Sequence, residues 1–252
     1  MAKSGATRIF ENLIKVEDID VNHRTIVTFT FFFYCHFHFL FLIKVDDIDV
    51  NHRTKEGHTP LILASLYGHL DIVSKLLASR KTDVDAIDLQ GYTALLLAAM
   101  HNRVGVVRML LEKGVRDVNH KNHGECTALV LASQKGCHEV VMELLAQEDI
   151  DVNADDADGD NPLIHASEEG REKVVDLLLA HQEIDVNKAN KNGDVSLMCA
   201  ANRGHAVIVE KLLNTKDISV NIKNNDGYTA LMCAADKGNA KVMNLIIKLL
   251  RQ

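Results

Sequence analysis

Six leucines, Leu61, Leu95, Leu129, Leu163, Leu197 and Leu231, stand 34 residues apart, and each opens the same short motif. A fixed period of this length constrains the chain more than any single residue does. It marks a tandem array of supersecondary units, none of which can bury its apolar face alone, so neighbours must stack. The chain of 252 residues is therefore read as one domain rather than two ordinary ones.

Aligned on the leucines, the motifs are Gly57-His-Thr-Pro-Leu61, Gly91-Tyr-Thr-Ala-Leu95, Glu125-Cys-Thr-Ala-Leu129, Gly159-Asp-Asn-Pro-Leu163, Gly193-Asp-Val-Ser-Leu197 and Gly227-Tyr-Thr-Ala-Leu231. Each predicts a helix start. Thr59, Thr93, Thr127, Asn161 and Thr229 are residues that cap a first turn, worth about 1 kcal/mol each. The only two prolines, Pro60 and Pro162, fall one position later, where the missing N–H costs nothing. Alanine recurs three residues past each leucine, from Ala64 to Ala234, allowing close helix approach. Gly68, Gly136, Gly170, Gly204 and Gly238, with Asn102 in the second unit, then end this short helix in a left-handed conformation. A second helix follows, with apolar residues at Ile72, Val73, Leu76 and Leu77 and at the same offsets in later units, giving one apolar stripe. Stretches such as Asp151-Val-Asn-Ala-Asp-Asp-Ala-Asp-Gly159 read as polar hairpin loops between units.

This unit resembles the ankyrin repeat, whose Thr-Pro-Leu-His-x-Ala-Ala motif is matched by Thr59-Pro-Leu-Ile-Leu-Ala-Ser65. The resemblance covers residues 49–252 in six units and implies an all-α solenoid of stacked helix-turn-helix units joined by hairpin-like loops. Two departures stand out. The motif histidine is replaced by Ile62, Leu96, Val130, Ile164, Met198 and Met232, and the glycine that follows the second helix survives only as Gly114.

Residues 1–48 form an atypical N-terminal segment. Leu13–Thr25 and Leu42–Thr54 are the same thirteen residues apart from Glu17 against Asp46, but their offset is 29 rather than 34. Such a pair keeps sequence and breaks period, the signature of a recent copying event. The intervening residues 26–41 hold seven of the eight phenylalanines and read as a translated pyrimidine-rich tract. Residues 26–43 carry no charge and as a helix would span about 27 Å, the length of a thin bilayer. His36 and His38 in mid-segment, and flanks without a positive bias, argue against membrane insertion without excluding it.

The formal net charge of −7 argues against nucleic-acid binding. Residues 154–187 carry ten acids against Arg171 and Lys173, so the fourth unit is the acidic one. Five cysteines, an odd number without CxxC spacing, together with the lack of a secretory signal, point to a reducing, cytoplasmic location. No catalytic motif emerges and no cofactor is implied. No metal site is expected. Asp156-x-Asp158-x-Asp160 lacks the glycine and glutamate of a calcium loop at Asn161 and Ser167, so it reads as an acidic hairpin tip. His165, Cys199 and Cys233 occupy equivalent places in successive units, too far apart to share one ion or a disulfide, and are expected in the core.

The expected function is a non-enzymatic scaffold that binds another protein. The alternative is a regulatory or targeting module of a larger protein, membrane-tethered through residues 26–43. In the proteins this chain resembles, partners dock on the concave face of hairpin tips and short helices. That implies His58, Leu66, Tyr67, Tyr92, Met100 and His101 as an apolar and aromatic region. Glu125 stands at the corresponding hairpin of the third unit, and Asp160, Glu168 and Glu169 form an acidic region in the fourth. The competing reading is that the acids only solubilise the fold.

Overall fold

The computed structural model describes residues 49–251 as six helix pairs, with no strand among them. The first copy of the duplicated segment, the second copy as far as residue 48, the aromatic insert and the proposed span at residues 26–43 lie outside the described residues. The first helices are α1 (Pro60–Tyr67), α3 (Ala94–Met100), α5 (Ala128–Lys135), α7 (Pro162–Glu168), α9 (Ser196–Arg203) and α11 (Ala230–Asp236). The second helices are α2 (Leu70–Ala78), α4 (Val104–Lys113), α6 (His138–Leu145), α8 (Glu172–Leu179), α10 (Ala206–Leu213) and α12 (Ala240–Leu250). Successive first helices pack on one another, successive second helices do the same, and each pair packs internally, so the helices make two layers. Among the described residues no helix is long and apolar enough to cross a membrane.

Local chemistry sets these elements. Thr59, Thr93, Thr127 and Thr229 accept the N–H three residues on through their hydroxyls, and Asn161 does so through its amide oxygen. Val195 offers no such cap to α9, and there Ser196 Oγ instead donates to the Val186 carbonyl at 3.3 Å. The repeated leucines of units one to five and all six repeated alanines are buried between the layers, together with Ile72, Val73 and Leu76 and their equivalents in units two to five, and Leu231 is half-buried against them. Three small polar residues share that interior. Ser65, Ser133 and Ser167 are fully buried and their hydroxyls have no hydrogen-bond partner.

The units are joined by a polar seam as well as by apolar packing. Asn51 donates from Nδ2 to the Lys81 carbonyl at 2.7 Å and accepts the Asp83 N–H at 2.8 Å. Asn119, Asn153 and Asn187 repeat the same pair of bonds to the unit that follows each. In unit two the residue is Asp85, which has no donor. It accepts the Arg116 N–H at 3.0 Å and stands 3.6 Å from its guanidinium. At the hairpin tips one backbone bond crosses each junction, from Leu89 to Glu56, His123 to Gln90, Ala157 to Gly124, Lys191 to Asp158 and Asn225 to Asn192.

A third link explains the turn glycines. Gly68, Gly136, Gly170 and Gly204 have φ between 72° and 79°, open to glycine at no steric cost. They also make room: a Cβ there would come within 2.7–2.8 Å of Arg103, Arg171, His205 or Asn239 of the next unit. Arg103, Arg171 and Asn239 donate back to the Leu66, Gln134 and Ala201 carbonyls at 2.8–3.1 Å, and His205 Nε2 lies 3.0 Å from the Glu168 carbonyl. Asn102 replaces the glycine in unit two, with φ 55°. The residue facing it in the next unit is the small, buried Cys137, so the two departures match.

This pairing predicts non-additivity. Cys137→Arg alone is expected to lower stability in urea melts, and Asn102→Gly alone to shift it by less than about 1 kcal/mol. The double variant should recover stability with a coupling energy of about 0.5–3 kcal/mol.

Candidate protein-interaction surface

The nine residues expected to meet a partner lie on the first helices, directly after their C-terminal ends or on the hairpins that lead into them, but they divide into three kinds. His58, Tyr92 and Asp160 occupy one row, three residues before each repeated leucine. The row faces the next unit. His58 Nε2 lies 3.3 Å from Asp88 Oδ2. Asp160 Oδ1 accepts from Asn190 Nδ2 at 2.7 Å, and Asp194 accepts from Asn224 in the same way. Burial pushes the Tyr92 hydroxyl pKa up, and that of the Asp160 carboxyl too. These side chains are bridges within the array.

Leu66 and Met100 form the second kind, half-buried and packed against the core. The third kind is exposed. Tyr67 is 43% accessible and its ring centroid lies 6.1 Å from that of His69. His101 is exposed, and partial burial with the Arg103 charge lowers its pKa, so it is neutral near pH 7. Glu169 is exposed and stands 3.7 Å from Arg171, whereas the neighbouring Glu168 is held by Arg203 at 2.6 Å.

Three sequence expectations are corrected by this geometry. The row residue of unit three is Cys126. Glu125 sits one position earlier with φ 58°, in the place taken by Gly57, Gly91, Gly159, Gly193 and Gly227 elsewhere. Asp156 is not at an exposed hairpin tip. It is buried, its Oδ1 accepts the N–H groups of Asp158 and Asp160 at 3.0 Å, and its Oδ2 lies 2.8 Å from His165 Nε2. His165 is buried as expected, but Cys199 and Cys233 are only half-buried.

The acidic unit is largely answered by its neighbours. Asp155 stands 3.0 Å from Lys188 and 3.3 Å from Lys121, which hold its carboxyl below the usual range. Asp176 pairs with Lys211 at 2.5 Å. Each pair joins adjacent units, so part of the charge read as a partner site belongs to the seam. Asp158 and Glu169 remain exposed at its edge. Burial raises the thiol pKa values of Cys126, Cys137, Cys199 and Cys233, which keeps these four thiols protonated near neutral pH.

A two-layer array of helix pairs, loops on one edge and small residues between the first helices, defines the helical-repeat class of interaction proteins. Within that class the chain belongs to the ankyrin-repeat family: the profile for Ankyrin repeats (3 copies) matches residues 1–122, 116–190 and 182–251. The fold is similar to the ankyrin repeat domain of Bcl-3, a member of the IkappaB family, with TM-score 0.72 and 29% identity over 85% of this chain and 91% of that one. It is also similar to an ankyrin repeat domain from Acinetobacter baumannii AYE, with TM-score 0.69 and 28% identity over 75% and 97%. A third similar chain comes from the complex of a predatory endopeptidase of Bdellovibrio bacteriovorus with an immunity protein, at TM-score 0.67 and 30% identity over 76% and 98%. No curated protein matches in sequence. Ankyrin repeats are in general non-enzymatic modules that mediate protein–protein interaction, and no enzymatic family is indicated.

The division of the nine residues predicts different stabilities. In thermal melts Tyr67→Ala, His101→Ala and Glu169→Lys should each stay within about 0.5 kcal/mol of the parent. Asp160→Ala, which strips the acceptor from the half-buried Asn190 bridge, should cost about 1 kcal/mol.

Proposed function

We propose that the chain is a scaffold holding a partner protein along the surface of its first helices and hairpin loops, with an apolar anchor at units one and two and a basic segment at unit four. The observation that supports this most is the contrast between exposed Tyr67 beside half-buried Leu66 and Met100, and exposed Asp158 and Glu169 further along the same layer. Exposed aromatic side chains on a rigid support are the residues that anchor interfaces. Stacked helices are about 8–10 Å apart, so units one and four are separated by about 30 Å. An extended peptide covers that distance in about nine residues at about 3.3 Å each. The partner segment is therefore an extended stretch with an apolar residue at one end and lysine or arginine about nine residues away. A cytoplasmic location belongs to the same proposal and rests on the odd cysteine count without CxxC spacing.

Affinity capture with the full chain supplies the partner, and titration calorimetry then decides. Tyr67→Ala with His101→Ala should weaken binding about tenfold or more at any salt concentration. Glu168→Lys with Glu169→Lys should weaken it mainly at low salt, because exposed charges separated by more than about 10 Å are screened at 0.1 M. Unchanged affinity in both double variants would contradict the proposal.

A further inference from the structure

We propose that Asp156, Asp160 and His165 bind a divalent transition ion of the zinc class. These three side chains offer ligand atoms that lie within 4.8 Å of one another. Asp156 and His165 are both more than nine-tenths buried, and the half-buried Asp160 gives the cluster its access to solvent.

The combination is particular to unit four among the described units. The place of His165 is taken by Leu63, Leu97 and Leu131 in units one to three and by cysteine in units five and six. The place of Asp156 is asparagine in three units, Asn122, Asn190 and Asn224. The loop is organised by Asp156 Oδ1 alone, and Asn122, Asn190 and Asn224 organise theirs through the same atom. The second oxygen of Asp156, together with the imidazole, is therefore surplus to what folding the hairpin requires.

Donor chemistry selects the ion. An imidazole nitrogen with two carboxylates suits zinc-type ions at about 2.0–2.2 Å, with a fourth position for water. Calcium would want six or more oxygens. Ligands on a tetrahedral ion are about 3.4 Å apart, so the 2.8 Å His165–Asp156 contact must open by a few tenths of an ångström. His165 then binds as neutral imidazole through Nε2, its proton held on Nδ1. Two thiols flank the cluster: the charge of Asp156 acts on Cys126 and that of Asp160 on Cys199. A bound ion would clamp the hairpin of unit four to α7 and neutralise two carboxylates at the acidic end of the binding layer.

The test is titration of metal-stripped full chain with Zn²⁺ by calorimetry and with Co²⁺ by visible absorption. The variants are His165→Leu and Asp156→Asn, each placing there a residue that other units already carry, and circular dichroism melts confirm their folding. The expected result is one saturable site with a Co²⁺ band in the parent, at least tenfold weaker in each variant. The absence of a saturable site, or a site of unchanged affinity in either folded variant, would overturn the assignment.

Discussion

Every unit of this chain has one problem: a pair of helices of 7 to 11 residues each cannot enclose its own apolar stripe. The neighbouring unit completes the enclosure, so the junction between units is the interaction on which the structure depends. Apolar contact at the junction is non-directional and would tolerate sliding. The asparagines supply direction. Each of the four bridging residues fixes both an N–H and a carbonyl of the next loop, which ties each unit to one register on its neighbour. The backbone bond at each hairpin tip and the Arg, His or Asn over each turn glycine then fix the junction at two further points.

The same architecture serves binding. Row residues before the repeated leucines, His58, Asp160 and Asp194 among them, are consumed by bridges between units, which leaves the following helix ends and the outer hairpin residues to meet a partner. The acidic unit illustrates the division. Glu168, Asp155 and Asp176 are tied to cations in adjacent units, while Glu169 and Asp158 keep their exposure. Surface ion pairs of this kind contribute little stability, typically about 0–1 kcal/mol each, so their larger consequence is to fix where the remaining negative charge points.

Much of the fold was legible because its determinants are local and repeated. Thr59 with Pro60, and Asn161 with Pro162, announce helix starts through cap chemistry, and Gly68 or Gly136 announces a stop through φ. The seam is not legible in this way, although Asp-Val-Asn recurs at Asn51, Asn119, Asn153 and Asn187. Those asparagines look like turn formers until the loop 30 residues later is brought beside them. The candidate surface was harder still. His58 and Asp160 are polar and flank a motif, yet their partners, Asp88 and Asn190, lie in other units and so cannot be inferred from spacing within one. His165 and Asp156 are nine residues apart and meet only because the hairpin folds back on the start of α7. Ser65, Ser133 and Ser167 occupy the repeat position that is alanine in the other three units, Ala99, Ala201 and Ala235, and the structure offers no explanation for their buried hydroxyls.

Hydrogen exchange tests the central claim that the polar seam is as much a part of the folded array as its apolar interior. The amides of Asp151, Asp185 and Ser219 are loop amides by position, held only by asparagine side chains of the preceding unit. If the seam sets the register, they exchange with opening free energies close to those of the core amides of α5 and α7, and Asn153→Ala releases Asp185 selectively. Exchange of all three at the rate of unprotected loop amides, with the helices still protected, would contradict the account.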